Sequence, residues 1–164
     1  MKTIKFIAAC ALCINASATF GHENTPHHSP NTQTVKEQKD WGIAGDAKAV
    51  HRTITLQMSD DMRFSPSHID VREGETVRLR VKNKGKVLHE IVMGTKAELD
   101  QHAALMKKYP GIEHDAPHMA HVAAGKTGDI VWHFNRAGSF DFACLIPGHY
   151  EAGMTGTITV QPRR

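Results

Sequence analysis

The chain has 164 residues, and its 20 lysines and arginines against 17 aspartates and glutamates give a formal net charge of +3 at pH 7. So small a balance excludes the strong electrostatic field with which proteins bind nucleic acid or anionic lipid. The twelve histidines are the compositional outlier, and they indicate a metal-binding function.

The chain begins MKTIKFIAACALCINASA, where two lysines precede an apolar run over 6–14 and a small-residue site ends at Ala18. This pattern predicts a secretory signal peptide over residues 1–18 and hence export to the periplasm. Spanning a bilayer takes roughly 20 apolar residues, so the run is too short for a transmembrane helix. No later segment is a candidate span, and we expect no membrane insertion.

Removal of this leader takes away Cys10 and Cys13 and leaves Cys144 as the one thiol of the mature chain. An unpaired cysteine in an oxidising compartment suggests a reactive thiol or a metal ligand. Free cysteine is also among the most buried residue types, so a small buried hydrophobe is the alternative. The cysteine alone does not decide between these interpretations.

Residues 19–40 are polar and lack apolar periodicity, which predicts a flexible tail in front of a domain over 41–164. Three histidines lie in this tail: His22, His27 and His28. They either capture metal, as short histidine-rich tracts can, or belong to an ordinary polar linker.

Two-residue alternation of apolar and polar side chains dominates the domain. In one such run, Val77, Leu79 and Val81 alternate with arginines and a lysine. These runs are typical of half-buried strands with one face toward a core. The predicted strands are 53–58, 69–71, 77–82, 87–93, 129–134, 139–144 and 155–160. Short strands separated by turns predict an antiparallel sandwich or barrel.

One segment departs from the alternation. Residues 95–98 read TKAE, which is a capping box, and apolar residues follow at helical spacing until a Pro-Gly pair at 110–111. The pattern predicts one short helix inserted between two strands.

The loop 144–154 reads CLIPGHYEAGM and contains Cys144, His149 and Met154. Its Pro-Gly pair turns the chain, so that a thiolate, an imidazole and a thioether can meet at one point. Such donors suit copper, and two histidines, one cysteine and a distant axial methionine form blue-copper electron-transfer centres. That set needs a second histidine, and His89 at the start of a predicted strand is the natural candidate.

The sequence lacks the residues that other common kinds of metal site require. A dinuclear copper site of the oxidase type needs a second loop cysteine, and a trinuclear cluster needs paired His-x-His elements; the sequence has neither. The pair His22-Glu23 is not followed by a histidine at the HExxH spacing, so a zinc-protease helix is unsupported.

The stretches 62–93 and 140–160 resemble the first half and the C-terminal copper loop of plastocyanin- and azurin-like domains. By these motifs the chain is identified as a member of the cupredoxin family. The resemblance implies an all-β, antiparallel Greek-key β-sandwich. It also implies one type 1 copper with three equatorial ligands and one axial ligand: His89, Cys144 and His149, and Met154. In this family the loop histidine, here His149, reaches the surface within an apolar patch and passes electrons.

Further features narrow the resemblance. The loop spacing is longer than in plastocyanins and resembles that of rusticyanin-type proteins. The helical insertion, segment 113–122 and the histidine-rich leader resemble periplasmic cupredoxins associated with copper tolerance, of the CopI kind. The chain departs from plastocyanins at Glu90, where those proteins usually have an Asn that hydrogen-bonds to the cysteine-bearing loop.

A second group of potential copper ligands lies within 113–122: His114, His118, Met119 and His121. Soft methionine with imidazoles suits copper, so the segment is a candidate for a second, weaker site. A solvated polar loop is the equal alternative, since loops are commonly polar without being sites. Pro117 argues against a regular helix in this segment.

The remaining methionines and histidines are expected in structural or solvated positions. Core packing, rather than an extended Cu(I) path, is expected for Met58, Met62, Met93 and Met106. Solvated edges or polar faces are expected for His51, His68, His102 and His133.

The sequence therefore predicts a periplasmic type 1 copper protein that contributes to copper tolerance by cycling Cu(II) and Cu(I), and that is not an enzyme. It binds additional copper if the second group is a site. The alternative is a dedicated one-electron carrier to a respiratory or oxidase partner, such as a cytochrome. The extra ligands in the leader and in 113–122 favour copper tolerance.

Overall fold

The computed structural model describes residues 36–110 and 114–164. The predicted signal peptide, and the predicted tail as far as residue 35, lie outside the described residues. Gln38 and Lys39 of the predicted tail contact the domain. The side-chain amide of Gln38 donates hydrogen bonds to the carbonyl of Gly42 (3.0 Å) and to Oδ1 of Asn135 (3.1 Å).

Ten β-strands, one α-helix and a short 3-10 turn make up the described part of the chain. The strands are β1 (Ile43–Ala44), β2 (Arg52–Ser59), β3 (Arg63–Ser65), β4 (His68–Arg72), β5 (Glu75–Asn83), β6 (His89–Gly94), β7 (Met119–Val122), β8 (Thr127–Phe134), β9 (Gly138–Ala143) and β10 (Thr155–Gln161). The helix α1 (Lys96–Lys108) follows β6, and the 3-10 turn (Ala47–Ala49) follows β1. Within these residues, no helix is long and apolar enough to cross a membrane.

The described strands form two five-stranded sheets, with the orders β1-β8-β5-β2-β3 and β4-β10-β9-β6-β7. The predicted fold class, an all-β sandwich with one short helical insertion, is confirmed. The pairs β2 with β5 and β4 with β10 run parallel, and the other pairs are antiparallel. The parallel pairing of β2 with β5 arises because β4 belongs to the second sheet, so the chain crosses between the sheets before β5 returns beside β2.

Apolar side chains from both sheets form the core between them. In β5 the predicted alternation is present, because Val77, Leu79 and Val81 are fully buried while the intervening arginines pair with Asp129 of β8. Burying one such aliphatic side chain stabilises the fold by about 1.5–3 kcal/mol. The alternation therefore fixes which face of β5 meets the core.

β6 is buried along its whole length, because one face meets this core and the other is covered by α1. The helix begins after the N-cap Thr95, whose hydroxyl accepts from the Glu98 N–H while the Glu98 carboxylate accepts from the Thr95 N–H. Leu99 of α1 is buried beside Val92 of β6 in a second apolar cluster. The helix thus covers the outer face of the strand that begins with His89.

Residues 41–42, where no strand was predicted, pack against the domain and fix the position of its N-terminal end. Trp41 is 2% exposed, stacks on Trp132 of β8 with ring centroids 4.5 Å apart, and donates from Nε1 to the carboxylate of Glu98 (3.0 Å). Nε1 of Trp132 donates in turn to the Trp41 carbonyl (3.0 Å). Gly42 has a φ of 125°, and a Cβ there would overlap Trp132, so only glycine permits this approach. The segment is thereby tied to both β8 and α1.

Candidate metal centre

Three strand ends position the predicted ligands. His89 is the first residue of β6, Cys144 directly follows β9, and Met154 directly precedes β10. Because β9 lies between β6 and β10 and is antiparallel to both, these ends meet at one edge of the sandwich. The Cys144 N–H donates to the Met154 carbonyl (3.0 Å), which closes the base of the loop that carries His149.

The donor atoms of His89, Cys144 and His149 lie within 4.8 Å of one another. Nδ1 of His149 is 3.2 Å from Sγ of Cys144, and the two imidazole ring centroids are 4.9 Å apart. With ordinary metal–nitrogen and metal–sulfur bond lengths, donors in a trigonal plane are roughly 3.5–4 Å apart. The three side chains are therefore close enough together to bind one metal ion.

The hydrogen bonding of His89 independently tests whether the site fits a metal ion. Its Nδ1 is the one buried side-chain nitrogen or oxygen without a hydrogen-bond partner among the described residues. Leaving such a group unsatisfied costs about 1–3 kcal/mol, which a metal ligand avoids. A thiolate with two imidazoles is also the donor set that copper takes in blue-copper centres. The residues present thus fit copper.

Asp60, in the turn after β2, orients the His89 ring. Its Oδ1 is 3.1 Å from Nε2 of His89, and its Oδ2 accepts from the Lys86 N–H (2.8 Å). The Lys86 N–H lowers the pKa of Asp60, which is therefore a carboxylate that accepts the Nε2 proton. Glycine at position 85 leaves room for this carboxylate, because a Cβ there would overlap it. His89 Nδ1 is then the nitrogen with the lone pair, as a metal ligand requires.

Burial sets the protonation of the metal-free site. It raises the pKa of the Cys144 thiol to about 12, and it lowers the pKa of His149. In the metal-free protein the thiol therefore keeps its proton at neutral pH, and the His149 imidazole is neutral. Binding copper as a thiolate must displace the thiol proton.

Glu90 ties β6 to the cysteine-bearing loop. Its backbone N–H donates to Sγ of Cys144 (3.4 Å), and its Oε1 accepts from the Leu145 N–H (2.9 Å). The side chain is only 2% exposed, and burial raises the pKa of its carboxyl while His121 lowers it. The link that plastocyanins usually make with Asn is thus made here by a carboxylate.

Met154 is fully buried in the main core at the end of the loop. Its N–H donates to the His149 carbonyl (3.1 Å), and the His149 N–H donates to the Ile146 carbonyl (2.9 Å). Gly148 has a φ of 91°, a conformation that favours glycine in this turn. These bonds hold the ends and the middle of the loop in one conformation.

An apolar rim surrounds the exposed side of the site. Val87 and Leu88 are 44% and 48% exposed, and they line a cleft together with Ile146, Pro147 and His149. The sequence assigned Val87 and Leu88 to a strand, but β6 begins only at His89, so both side chains remain at the surface. The imidazole of His149 therefore reaches an apolar surface, as the resemblance implies.

The structure does not bring the four residues of the predicted second group together. His118 packs edge-on against Trp41 with ring centroids 5.0 Å apart, and burial lowers its pKa to about 4. Met119 is buried in the apolar cluster under α1. His114 and His121 lie elsewhere, near Glu90. Met119 and His121 lie on the same face of β7, but Met119 lies opposite Val92 in the apolar cluster and His121 lies opposite Glu90, while His118 precedes the strand.

His102 of α1 joins this second region, although the sequence gave no reason to group it with the others. Its Nε2 is 2.8 Å from Nε2 of His114. One signal was available: His102 follows Leu99 by three residues and precedes Met106 by four, so it borders the buried stripe of the helix. The predicted core methionines are buried as expected at 58, 93 and 106, and Met62 is partly buried against the core.

Comparison with known proteins gives consistent matches. A family model described as "Copper binding proteins, plastocyanin/azurin family" matches residues 50–161. The copper-resistant cuproprotein CopI of Rubrivivax gelatinosus is 45% identical over 153 residues, covering 93% of this chain and 92% of that protein. The copper-resistant cuproprotein CopI of Pseudomonas aeruginosa is 34% identical, covering 74% of this chain and 83% of that protein.

Among solved structures, auracyanin B superimposes with a TM-score of 0.60 at 22% sequence identity. The match covers 76% of this chain and 97% of that one. At this identity the likeness concerns the fold alone, and it agrees with the sandwich described above.

Proposed function

Because the chain belongs to the plastocyanin/azurin family of copper-binding proteins, we propose that it is a type 1 copper protein that contributes to copper tolerance. Membership of this family confirms the resemblance and the copper cofactor predicted from the sequence. The observation that carries the proposal is the convergence of a buried thiol and two imidazoles, one of which has an unpartnered buried Nδ1.

Nδ1 of His89, Sγ of Cys144 and Nδ1 of His149 would hold the copper, together with the thioether of Met154. Bound there, copper supplies a one-electron couple between Cu(II) and Cu(I). Strand hydrogen bonds at the ends of β6, β9 and β10 hold the donors in one arrangement. Such rigidity keeps the reorganisation that accompanies electron transfer small.

Copper tolerance is favoured over a pure carrier role because the relative with 45% identity over 93% of the chain is a copper-resistant cuproprotein. A second candidate function, one-electron transfer to a respiratory or oxidase partner such as a cytochrome, is supported by the exposed Val87 and Leu88 beside His149. An apolar rim of this kind suits a transient partner interface. Neither role involves catalysis by the protein itself.

The signal peptide predicted from the sequence over 1–18 supports action in the periplasm. Sequencing the N-terminus of the protein recovered from a periplasmic extract tests this. A mature chain that starts at residue 19 is expected, with the tail over 19–40 and the domain over 41–164 retained. Recovery of the uncleaved chain from the cytoplasm would contradict the proposed location.

Copper counting and visible absorption test the ligand assignment. The wild type should show the intense thiolate-to-copper absorption with one copper at this site, and Cys144→Ala should lose the absorption. His68→Ala is a matched control, because His68 is exposed and its partners among the described residues are Thr157 of the neighbouring strand and Asp70. Survival of the absorption in Cys144→Ala would disprove the assignment.

A growth assay distinguishes the copper-tolerance role from the electron-carrier role. Cells without the protein should become sensitive to copper, and wild-type protein but not Cys144→Ala should restore growth. Unchanged copper sensitivity, with a defect only in oxidase-dependent respiration, would support the carrier role instead.

A further inference from the structure

The residue that follows His149 is bonded to the helix α1. The Tyr150 hydroxyl donates to Oδ1 of Asp100 (2.6 Å). The Lys96 ammonium donates to both oxygens of the same carboxylate (2.8 and 2.7 Å) across one turn of the helix, and it lowers the pKa of Asp100. A hydrogen bond to an ionised acceptor is shorter and stronger than one between neutral groups. The helix therefore holds the side chain next to a predicted copper ligand.

The residue that precedes His149 is bonded to the same helix through Glu151. The Gly148 N–H donates to Oε2 of Glu151 (2.9 Å), and the Lys107 ammonium lies 2.8 Å from Oε1 of this carboxylate. Asp100 and Lys107 are about two helical turns apart, so they lie on the same side of α1. One side of the helix thus contacts the loop on both sides of His149.

Apolar packing brings the helix to this position. Leu99 and Ala103 of α1 are buried in one cluster with Leu145, the residue after Cys144, and the Tyr150 ring packs against this cluster. The four charged side chains that link helix and loop are between 40% and 72% exposed, and exposed ion pairs contribute little to stability. The polar links can therefore be removed with little effect on the fold as a whole.

We propose that α1 positions His149 in the copper-binding loop. Asp100 is the positioning residue on one side, acting through Tyr150. Glu151 is the positioning residue on the other side, acting through Gly148. His149 is partly exposed, so the loop backbone, more than surrounding side chains, sets the position of its ring. A metal ligand keeps its geometry when packing and hydrogen bonds hold the residues that support it. The inference rests on the type 1 copper function proposed above, because it concerns how one ligand of that site is held.

The rate of copper release from the full-length, Cu(II)-loaded protein tests the proposal. Asp100→Ala and Asp100→Asn have the same net charge, but only asparagine keeps an oxygen that accepts from the Tyr150 hydroxyl. In excess chelator, Asp100→Ala should lose the thiolate-to-copper absorption about three- to tenfold faster than the wild type, as expected for one partly exposed hydrogen bond to a charged group. Asp100→Asn should stay within about twofold of the wild type, because it keeps the acceptor.

Two further variants isolate the hydroxyl bond. Tyr150→Phe keeps the packing of the ring and should release copper as fast as Asp100→Ala, and the double variant should be no faster than either, because both changes remove one interaction. Gln101→Ala is the matched control. Gln101 is exposed on the same helix and lines a groove with His102 and His114 instead of contacting the loop, so the rate should not change.

Amide hydrogen exchange of the metal-free protein gives a readout that does not depend on copper. Exchange over residues 145–153 should be faster in Asp100→Ala, in Tyr150→Phe and in Glu151→Ala, while exchange in β5 stays as in the wild type. A general loss of stability would instead speed exchange in β5 as well, which would contradict a positioning role. Equal copper-release rates for Asp100→Ala and Asp100→Asn, or wild-type loop exchange in Asp100→Ala, would overturn the proposal.

This proposal and the proposed copper function fail in different ways. If the type 1 assignment is wrong, Cys144→Ala retains the visible absorption, while loop exchange in the metal-free protein still depends on Asp100. If only the positioning role is wrong, the absorption depends on Cys144, but neither copper release nor loop exchange depends on Asp100.

Discussion

Copper uptake at the first site is expected to release one proton from the Cys144 thiol. Burial raises the pKa of this thiol to about 12, so it stays protonated from about pH 7 to about pH 9. Removing the proton near neutral pH costs roughly 7 kcal/mol, because each pKa unit is worth about 1.4 kcal/mol. Burial lowers the pKa of His149, which is neutral in this range and adds no proton. The apparent copper affinity should therefore rise about tenfold for each pH unit.

Competition against a chelator of known pH dependence measures this slope, with the thiolate-to-copper absorption reporting the first site alone. His68→Ala serves as the control, because His68 is exposed and contacts Thr157 and Asp70 away from the site, so the slope should be unchanged. The reasoning would be refuted by an affinity independent of pH. Such a result would mean that the thiol is already ionised in the metal-free fold, as an ion pair with His149, whose Nδ1 is 3.2 Å away.

Three further changes have expected outcomes. Glu90→Ala should destabilise the metal-free protein by about 1–3 kcal/mol, because the buried Leu145 N–H loses its acceptor, whereas Glu90→Gln keeps an acceptor; chemical denaturation compares them. Asp60→Ala should weaken copper binding at the first site by about 10–100-fold in chelator competition, because the His89 ring loses its partner, and Asp60→Asn should have a smaller effect. Trp41→Ala should cost about 3–5 kcal/mol of unfolding free energy and leave the copper absorption unchanged; a shifted absorption spectrum would contradict this.

The copper ligands could be predicted from the sequence because most of them lie close together in the chain. Cys144, His149 and Met154 share one loop, and the types of their donor atoms already restrict the metal. His89 could be proposed because it lies near the start of a strand predicted over 87–93, just after the turn at 83–85. Two-residue alternation predicted β5, where each apolar residue meets the core.

The surroundings of His118 and His121 could not be predicted from the sequence because they depend on packing between distant segments. β7 has only four residues and its His121 is exposed, so MAHV resembles a polar loop in sequence although it forms a ladder with β6. His118 and His121 are three residues apart but face different surroundings, one against Trp41 and the other against Glu90. His102 joins His114 only through the packing of the helix, which no spacing in the sequence encodes.

The hydrogen bonds of Glu90 explain why the chain has a carboxylate where plastocyanins usually have an asparagine. Two N–H donors point at this buried side chain, one from Leu145 and one from Nε2 of His121. A carboxylate has an acceptor oxygen for each, but an amide has one oxygen and one NH₂ group. An amide that kept the bond to Leu145 would turn its NH₂ toward His121, which would then carry its proton on Nδ1. A glutamate at this position therefore satisfies both the N–H of the cysteine-bearing loop and the Nε2 proton of His121.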